Sequence, residues 1–164
     1  MRDLGVMVTA AIDFDVHITQ VVKSATLVCN LIFRCFIIKT PDFYINLYKS
    51  LVIPKLLYCC EVWRPYLRKH TEAIDNVQKR FVRRVSRRCD VPRDSIDLRS
   101  ITELFDAADI SMYARICRND DVDKFFRLRD NSLRSGVTIT ALEVAASERV
   151  NNLFAWRAAR LLRR

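Results

Sequence analysis

An all-α helical bundle is the architecture this sequence predicts, and three observations predict it. Two glycines and four prolines in 164 residues, beside 51% hydrophobic residues, make a compact and helix-friendly chain. Apolar residues recur at three-and-four spacing in one segment after another, which is the period of a helix with one buried face. Helix-start signals precede three of those segments: Thr40-Pro41, Ser100 with Glu103, and Thr140 with Glu143.

The elements follow in order. Leu4 to Thr9 reads as a short strand. Ile18, Val21, Val22, Ala25, Val28, Cys29, Ile32, Cys35 and Phe36 then define one buried helical face. Lys23, Asn30 and Arg34 interrupt this stretch and would be costly at membrane depth, so a core helix is expected rather than a span. Thr40-Pro41 opens a second helix through Tyr44, Leu47, Tyr48 and Leu51. Pro54 lacks an N–H and crowds the Ser50 carbonyl, so that helix should bend before resuming through Leu56, Leu57 and Tyr58. From about residue 68 to 88, Ile74, Val77, Phe81 and Val85 form one stripe, with Lys79, Arg80, Arg83, Arg84 and Arg87 on the opposite side. Residues 91–99 read as a connector, and Ser100 begins a helix reaching about Cys117. An acidic turn at Asp120, Asp121 and Asp123 follows, and Thr140 caps a last helix lined by Leu142, Ala146, Val150, Leu153, Phe154 and Leu161.

Charge is uneven. The net +9 divides as +1 over residues 1–63, +7 over 64–93, −3 over 94–130 and +4 over 131–164. The excess therefore sits on and beside one helix as a directional patch. Gly5 and Gly136 stand alone, so no phosphate-cradling glycine loop exists and nucleotide enzymes of those classes are excluded. Six cysteines without a Cys-x-x-Cys pair, and two histidines, lack zinc spacing; the cysteines read as buried apolar thiols in a reducing compartment. His17 is expected to pack or cap at the start of the first helix, and Tyr44, Tyr48, Tyr58, Trp63 and Tyr66 to be core before they are base-stacking platforms.

An ordered series of motifs runs through the first half: Asp3-Leu4-Gly5-Val6, Phe14-x-x-His17-Ile18, Leu47-Tyr48-Lys49-Ser50-Leu51-Val52-x-Pro54-x-Leu56-x-Tyr58, Trp63-x-Pro65-Tyr66-Leu67 and Val77-Gln78-Lys79-Arg80. The series resembles the reverse transcriptases of non-LTR (LINE-like, jockey-type) retrotransposons, in the stretch from the last palm strand through the helical thumb. The resemblance is dense over residues 3–84. Ile53 stands where the family usually has a basic residue, and Leu57 where it has an acidic one. Phe125-Phe126-x-Leu128-Arg129 and Arg134-Ser135-Gly136 resemble later signatures, whereas Leu104, Phe105, Leu162 and Arg163 depart from them.

The resemblance implies a truncated palm-strand remnant at 1–12, a thumb-like helical region at 13–90 and a further helical region at 91–164. The remnant strand, an orphan without sheet partners, is expected to be disordered. It also implies an RNA-directed DNA polymerase as the parent activity, with Mg as its metal. The paired carboxylates that such chemistry needs are not recognisable here: Asp120-Asp121 lacks the aromatic-x-Asp-Asp hairpin context and reads as a helix-end turn. The chain by itself is therefore expected to be non-catalytic and to need no cofactor. Its expected role is to hold an RNA–DNA hybrid or duplex through the phosphate contacts of Lys79, Arg80, Arg83, Arg84, Arg87 and Arg88. A polymerase palm or another protein chain on the exposed apolar faces is a further expected partner, with neither a membrane nor a small-molecule substrate. The alternatives are a non-enzymatic helical interaction module and a degenerate transposon relic. An intracellular location is expected, nuclear or cytoplasmic, because the basic run could equally serve as an import signal.

Overall fold

The computed structural model of the chain describes residues 2–9, 13–118, 127–129, 138–140 and 153–162. The fold is all-α, as the sequence predicts. Two compact units divide it, residues 1–104 and 105–164.

The first unit opens with a minimal hairpin. Strand β1 (Arg2–Asp3) pairs antiparallel with β2 (Val6–Met7), Arg2 opposite Met7 and Asp3 opposite Val6. Leu4 at φ 44° and Gly5 at φ 88° make the two-residue turn. Two consecutive positive φ angles match the right-handed twist of a hairpin, and glycine accepts that conformation without strain. This corrects the expectation of an orphan, disordered strand from Leu4 to Thr9. Val6–Met7 takes its hydrogen-bond partners from the residues just before it, and Leu4 lies in the turn. The hairpin is also fastened to the helices: the Tyr58 hydroxyl donates to the Leu4 carbonyl at 2.9 Å, and the Met7 amide donates to His17 Nδ1 at 3.4 Å.

Helix α1 (Asp15–Cys35) buries His17, Ile18, Ala25, Cys29, Ile32 and Phe33. His17 packs edge-on against Trp63 with ring centroids 5.2 Å apart, the packing role expected of it. By length and composition alone α1 is apolar enough to cross a membrane. Its expected apolar face is only partly covered, since Cys35 and Phe36 are exposed; Leu27 and Leu31, which lie off that face, are exposed as well. The reading of all six cysteines as buried is corrected likewise: Cys29 and Cys60 are buried, Cys35 is exposed, and Cys59, Cys89 and Cys117 lie between.

Helix α2 (Pro41–Leu47) begins with proline in its first turn behind an extended Thr40, whose hydroxyl makes no cap hydrogen bond. The bend expected at Pro54 appears as one wide π turn, Tyr48–Val52, before α3 (Ile53–Leu57). There the Ile53 amide donates to the Tyr48 carbonyl five residues back. Widening the turn is how a helix accommodates a residue that has no N–H for the ladder and a ring that crowds the preceding carbonyl. Cys59, in the left-handed region at φ 51°, then redirects the chain into α4 (Cys60–Trp63).

Helix α5 (Arg68–Cys89) buries Ile74, Val77, Phe81 and Val85, the stripe its periodicity predicts. Phe81 meets Tyr48 at 4.5 Å and Phe33 at 5.2 Å between ring centroids, and Phe33 stacks on Tyr44 at 5.1 Å. Each such fully buried side chain contributes about 1.5–3 kcal/mol, with about 0.5–1.5 kcal/mol more per aromatic pair. Tyr44, Tyr48 and Trp63 are therefore core, while Tyr58 is exposed. Asp90, left-handed at φ 54°, ends α5, and a 3-10 turn at Arg93–Ser95 leads to α6 (Ile101–Arg118). Ser100 caps α6 as predicted, its Oγ accepting the Glu103 amide at 3.2 Å.

In the second unit, β3 (Arg127–Arg129) pairs antiparallel with β4 (Thr138–Thr140), Arg127 opposite Thr140. Thr140 ends this ladder opposite Arg127, and the helix turn it is expected to cap lies outside the described residues. Helix α7 (Phe154–Leu161) starts after an extended Leu153, so Leu153, expected to line the last helix, precedes it instead. Its Ala158 packs with Ile116 of α6, flanked by Met112, Tyr113, Phe154 and Ala155. Arg157 and Asp109 form a buried two-pronged ion pair, Nε to Oδ2 at 2.9 Å and Nη2 to Oδ1 at 3.0 Å. The acidic turn at Asp120, Asp121 and Asp123, the Phe125-Phe126 and Arg134-Ser135-Gly136 motifs, Leu142 to Val150, and the terminal Arg163-Arg164 lie outside the described residues.

Candidate nucleic-acid interface

Helices α1 and α5 run parallel, because their cross-links keep a nearly constant sequence offset. At one end Asp15 accepts hydrogen bonds from Lys69 Nζ and pairs with His70 Nε2 at 2.6 Å. Further along, Arg84 Nη1 donates to Asn30 Oδ1, and at the far end Arg88 Nη1 donates to the Phe36 carbonyl at 2.8 Å. The hydrogen bonds from Lys69 and His70 hold the Asp15 carboxyl at about 2, well below the usual carboxylate range. Arg88 satisfies a carbonyl just past the end of α1, where helices leave such acceptors unpaired.

Between the two helices lies a groove of about 430 Å³. Thr26, Cys29 and Asn30 line it from α1, and Arg80, Arg83, Arg84 and Arg87 from α5. All four arginines are exposed. Successive ones three or four residues apart stand about 5–6 Å from one another at Cβ, a spacing that follows a phosphate backbone. The C-terminal ends of both parallel helices point toward this region, and each contributes roughly half a negative charge. Four full positive charges outweigh that field, so the groove is net cationic. Burial pushes the Cys29 thiol up to about 11, against the opposing pull of the Arg84 charge, so it stays protonated.

Arg84 is the best-defined member. Its guanidinium lies over the Phe33 ring, 4.4 Å from the centroid, while one Nη1 donates to Asn30. A planar cation stacked on an aromatic and tethered at one edge has little rotamer freedom left to lose, and its remaining donors stay available. Arg88 also approaches Phe33, at 5.8 Å, but its donor is engaged by the Phe36 carbonyl and it is only half-exposed. Lys79 is exposed on the other flank of α5 and lines a separate groove, which Arg83 also borders.

The structure thus gathers Arg80, Arg83, Arg84 and Arg87 of the six sequence-predicted residues on one groove, places Lys79 on another, and gives Arg88 to the α1–α5 junction. Sequence reasoning missed Asn30 and Phe33, which sit on a different helix. In the sequence Asn30 read only as a polar interruption of the first helix and Phe33 was not singled out, and nothing in it marks them as partners of Arg84. Among the described residues no group of three or more His, Cys, Asp or Glu is placed to hold a metal ion.

Over 97 residues the chain is 35% identical to an uncharacterized protein of Caenorhabditis elegans, an alignment covering 59% of this chain and 49% of that protein. The chain therefore spans about half the length of the curated relative it matches. No family model and no solved structure matches it.

Proposed function

We propose that this chain is a thumb-like segment of a non-LTR retrotransposon reverse transcriptase and that it binds an RNA–DNA hybrid or duplex through the phosphate backbone, without polymerase activity of its own. The observation that carries the proposal is the cationic groove between α1 and α5, with Arg80, Arg83, Arg84 and Arg87 along one wall. Phosphate contacts of this kind position a duplex without reading its sequence. The motif series over residues 3–84 supplies the family, and its dense part coincides with the first unit.

The test is a salt titration of a fluorescently labelled RNA–DNA hybrid with the full chain. Arg80, Arg83 and Arg87 are replaced together by Ala, leaving Arg84 to its structural contacts. If each arginine neutralises one phosphate, the slope of log affinity against log salt becomes shallower by roughly 2.7. Between 50 and 200 mM salt the wild type then loses about 40-fold more affinity than the variant. Equal slopes would overturn the proposal.

A second reading has its own observation. Leu27 and Leu31 are 60% and 58% exposed one turn apart on α1, and with Arg34 they line a shallow apolar depression of about 580 Å³. A palm domain or another protein chain covering that stripe would make the chain an interaction module. In that case Leu27→Ser with Leu31→Ser, which adds no charge beside Arg84 at the edge of the same depression, abolishes association.

A further inference from the structure

The connector after α5 forms a second groove with that helix, of about 480 Å³. Its apolar lining comes from Val82 of α5, Leu98 of the connector and Ile101 at the start of α6. Lys79 and Arg83 join it from α5, and Arg93 from the 3-10 turn. Asp75 lines it as well, so three cations face one carboxylate and the groove carries net positive charge.

The place of Arg93 is fixed by the way the connector is clamped. The Val91 amide donates to the Ser86 carbonyl at 3.2 Å, and the Ser86 hydroxyl donates back to the Val91 carbonyl at 2.7 Å. The Ser95 hydroxyl donates to the Pro92 carbonyl at 2.7 Å and closes the 3-10 turn. Ile96 is buried, and Gln78 Nε2 donates to the Arg99 carbonyl at 2.9 Å. The connector is therefore pinned to α5 on both sides of Arg93, and an exposed arginine is held beside the Lys79 and Arg83 flank. Pinning matters because a cation on an ordered turn gives up less conformational entropy on binding than one on a mobile loop.

We infer that this groove is a second phosphate-binding site, in which Arg93 acts with Lys79 and Arg83 on a further phosphodiester of the nucleic acid held in the first groove. The inference rests on the proposed function. Arg83 borders both grooves, so the contact track continues around α5 without a neutral gap. The ligand chemistry follows from the lining. Anionic oxygens meet the guanidinium and ammonium groups, and the carbon face of the sugar meets the half-buried Val82 and Leu98. An inorganic anion would leave that apolar surface uncovered.

The test uses the full chain and a short labelled RNA–DNA hybrid, with salt slopes measured for Arg93→Ala, Arg93→Lys, Arg80→Ala and the control Lys39→Ala, an exposed lysine between α1 and α2. The expected result is a slope shallower by about 0.9 for Arg93→Ala and for Arg80→Ala, and unchanged for Arg93→Lys and Lys39→Ala. If Arg93→Ala behaves like Lys39→Ala while Arg80→Ala shifts the slope, the second site is overturned and the proposed function stands. If Arg93→Lys loses the same slope as Arg93→Ala, the residue acts through the turn rather than through a phosphate, and the second site is again overturned. If Arg80→Ala and Arg93→Ala both match the control, the proposed function falls and this inference falls with it.

Discussion

Replacing Arg84 separates what this side chain does for the fold from what it does for a ligand. Its guanidinium stacks on Phe33 at 4.4 Å and donates to Asn30, both on α1. At an exposed site the stack contributes about 0.5–1 kcal/mol. The hydrogen bond adds about 0.5–1 kcal/mol, at the low end for a charged donor because solvent competes for it. Arg84→Ala is therefore expected to destabilise the first unit by about 1–2 kcal/mol, whereas Arg83→Ala, an exposed groove position that makes neither the Phe33 stack nor the Asn30 hydrogen bond, stays within about 0.5 kcal/mol of wild type. Urea unfolding followed by Trp63 fluorescence in a Trp156→Phe background isolates that unit, and an unchanged m-value keeps the comparison valid. A double-mutant cycle with Phe33→Leu should give a coupling energy of about 0.5–1 kcal/mol. Arg84→Lys should keep the salt slope of hybrid binding, since the charge remains, while affinity drops about fivefold for each 1 kcal/mol of lost preorganisation. If Arg84→Ala costs no more than Arg83→Ala and the coupling is zero, the stacked guanidinium constrains nothing and the case for a preset phosphate ligand fails.

Two further outcomes follow from charge pairs outside the groove. Asp15 has a carboxyl lowered from 3.8 to about 2 by Lys69 and His70, so its folded form holds the charge more tightly than the unfolded chain does. Its stabilisation is present above pH 4 and is lost as pH falls toward 2; Asp15→Asn should therefore flatten the stability-versus-pH curve in that window. In the second unit Arg157→Met removes both guanidinium hydrogen bonds from the Asp109 carboxylate, which is 1% exposed, and should cost up to about 3–5 kcal/mol in urea unfolding read at Trp156. Replacing both partners by apolar residues of similar volume should recover most of that loss.

The helices carried in short-range pattern were legible without coordinates. Ile74, Val77, Phe81 and Val85 recur at the helical period, and α5 buries all four. Pro54 announced a disturbed helix, since a missing N–H and a crowding ring act within four residues of sequence. Hairpin β1–β2 was not legible as a hairpin, because Leu4 reads as a strand residue and nothing local shows that it adopts φ 44°. Ladder β3–β4 was not legible either: Ser135-Gly136 between its strands is a turn signal, but each strand is only three residues long, too short for an alternating pattern to show.

The sequence by itself determined that α5 would be two-faced and that its outer face would be basic, because charge and helical period are both properties of neighbouring residues. Only the tertiary structure decided which of those cations act together. Parallel packing of α1 on α5 put Asn30 and Phe33 under Arg84, 54 and 51 positions away in sequence, and the clamped connector brought Arg93 beside Lys79 and Arg83. Grooves arise between elements, and the offset between two packed helices is set by how their buried side chains interlock over the whole interface, information that no single helix contains.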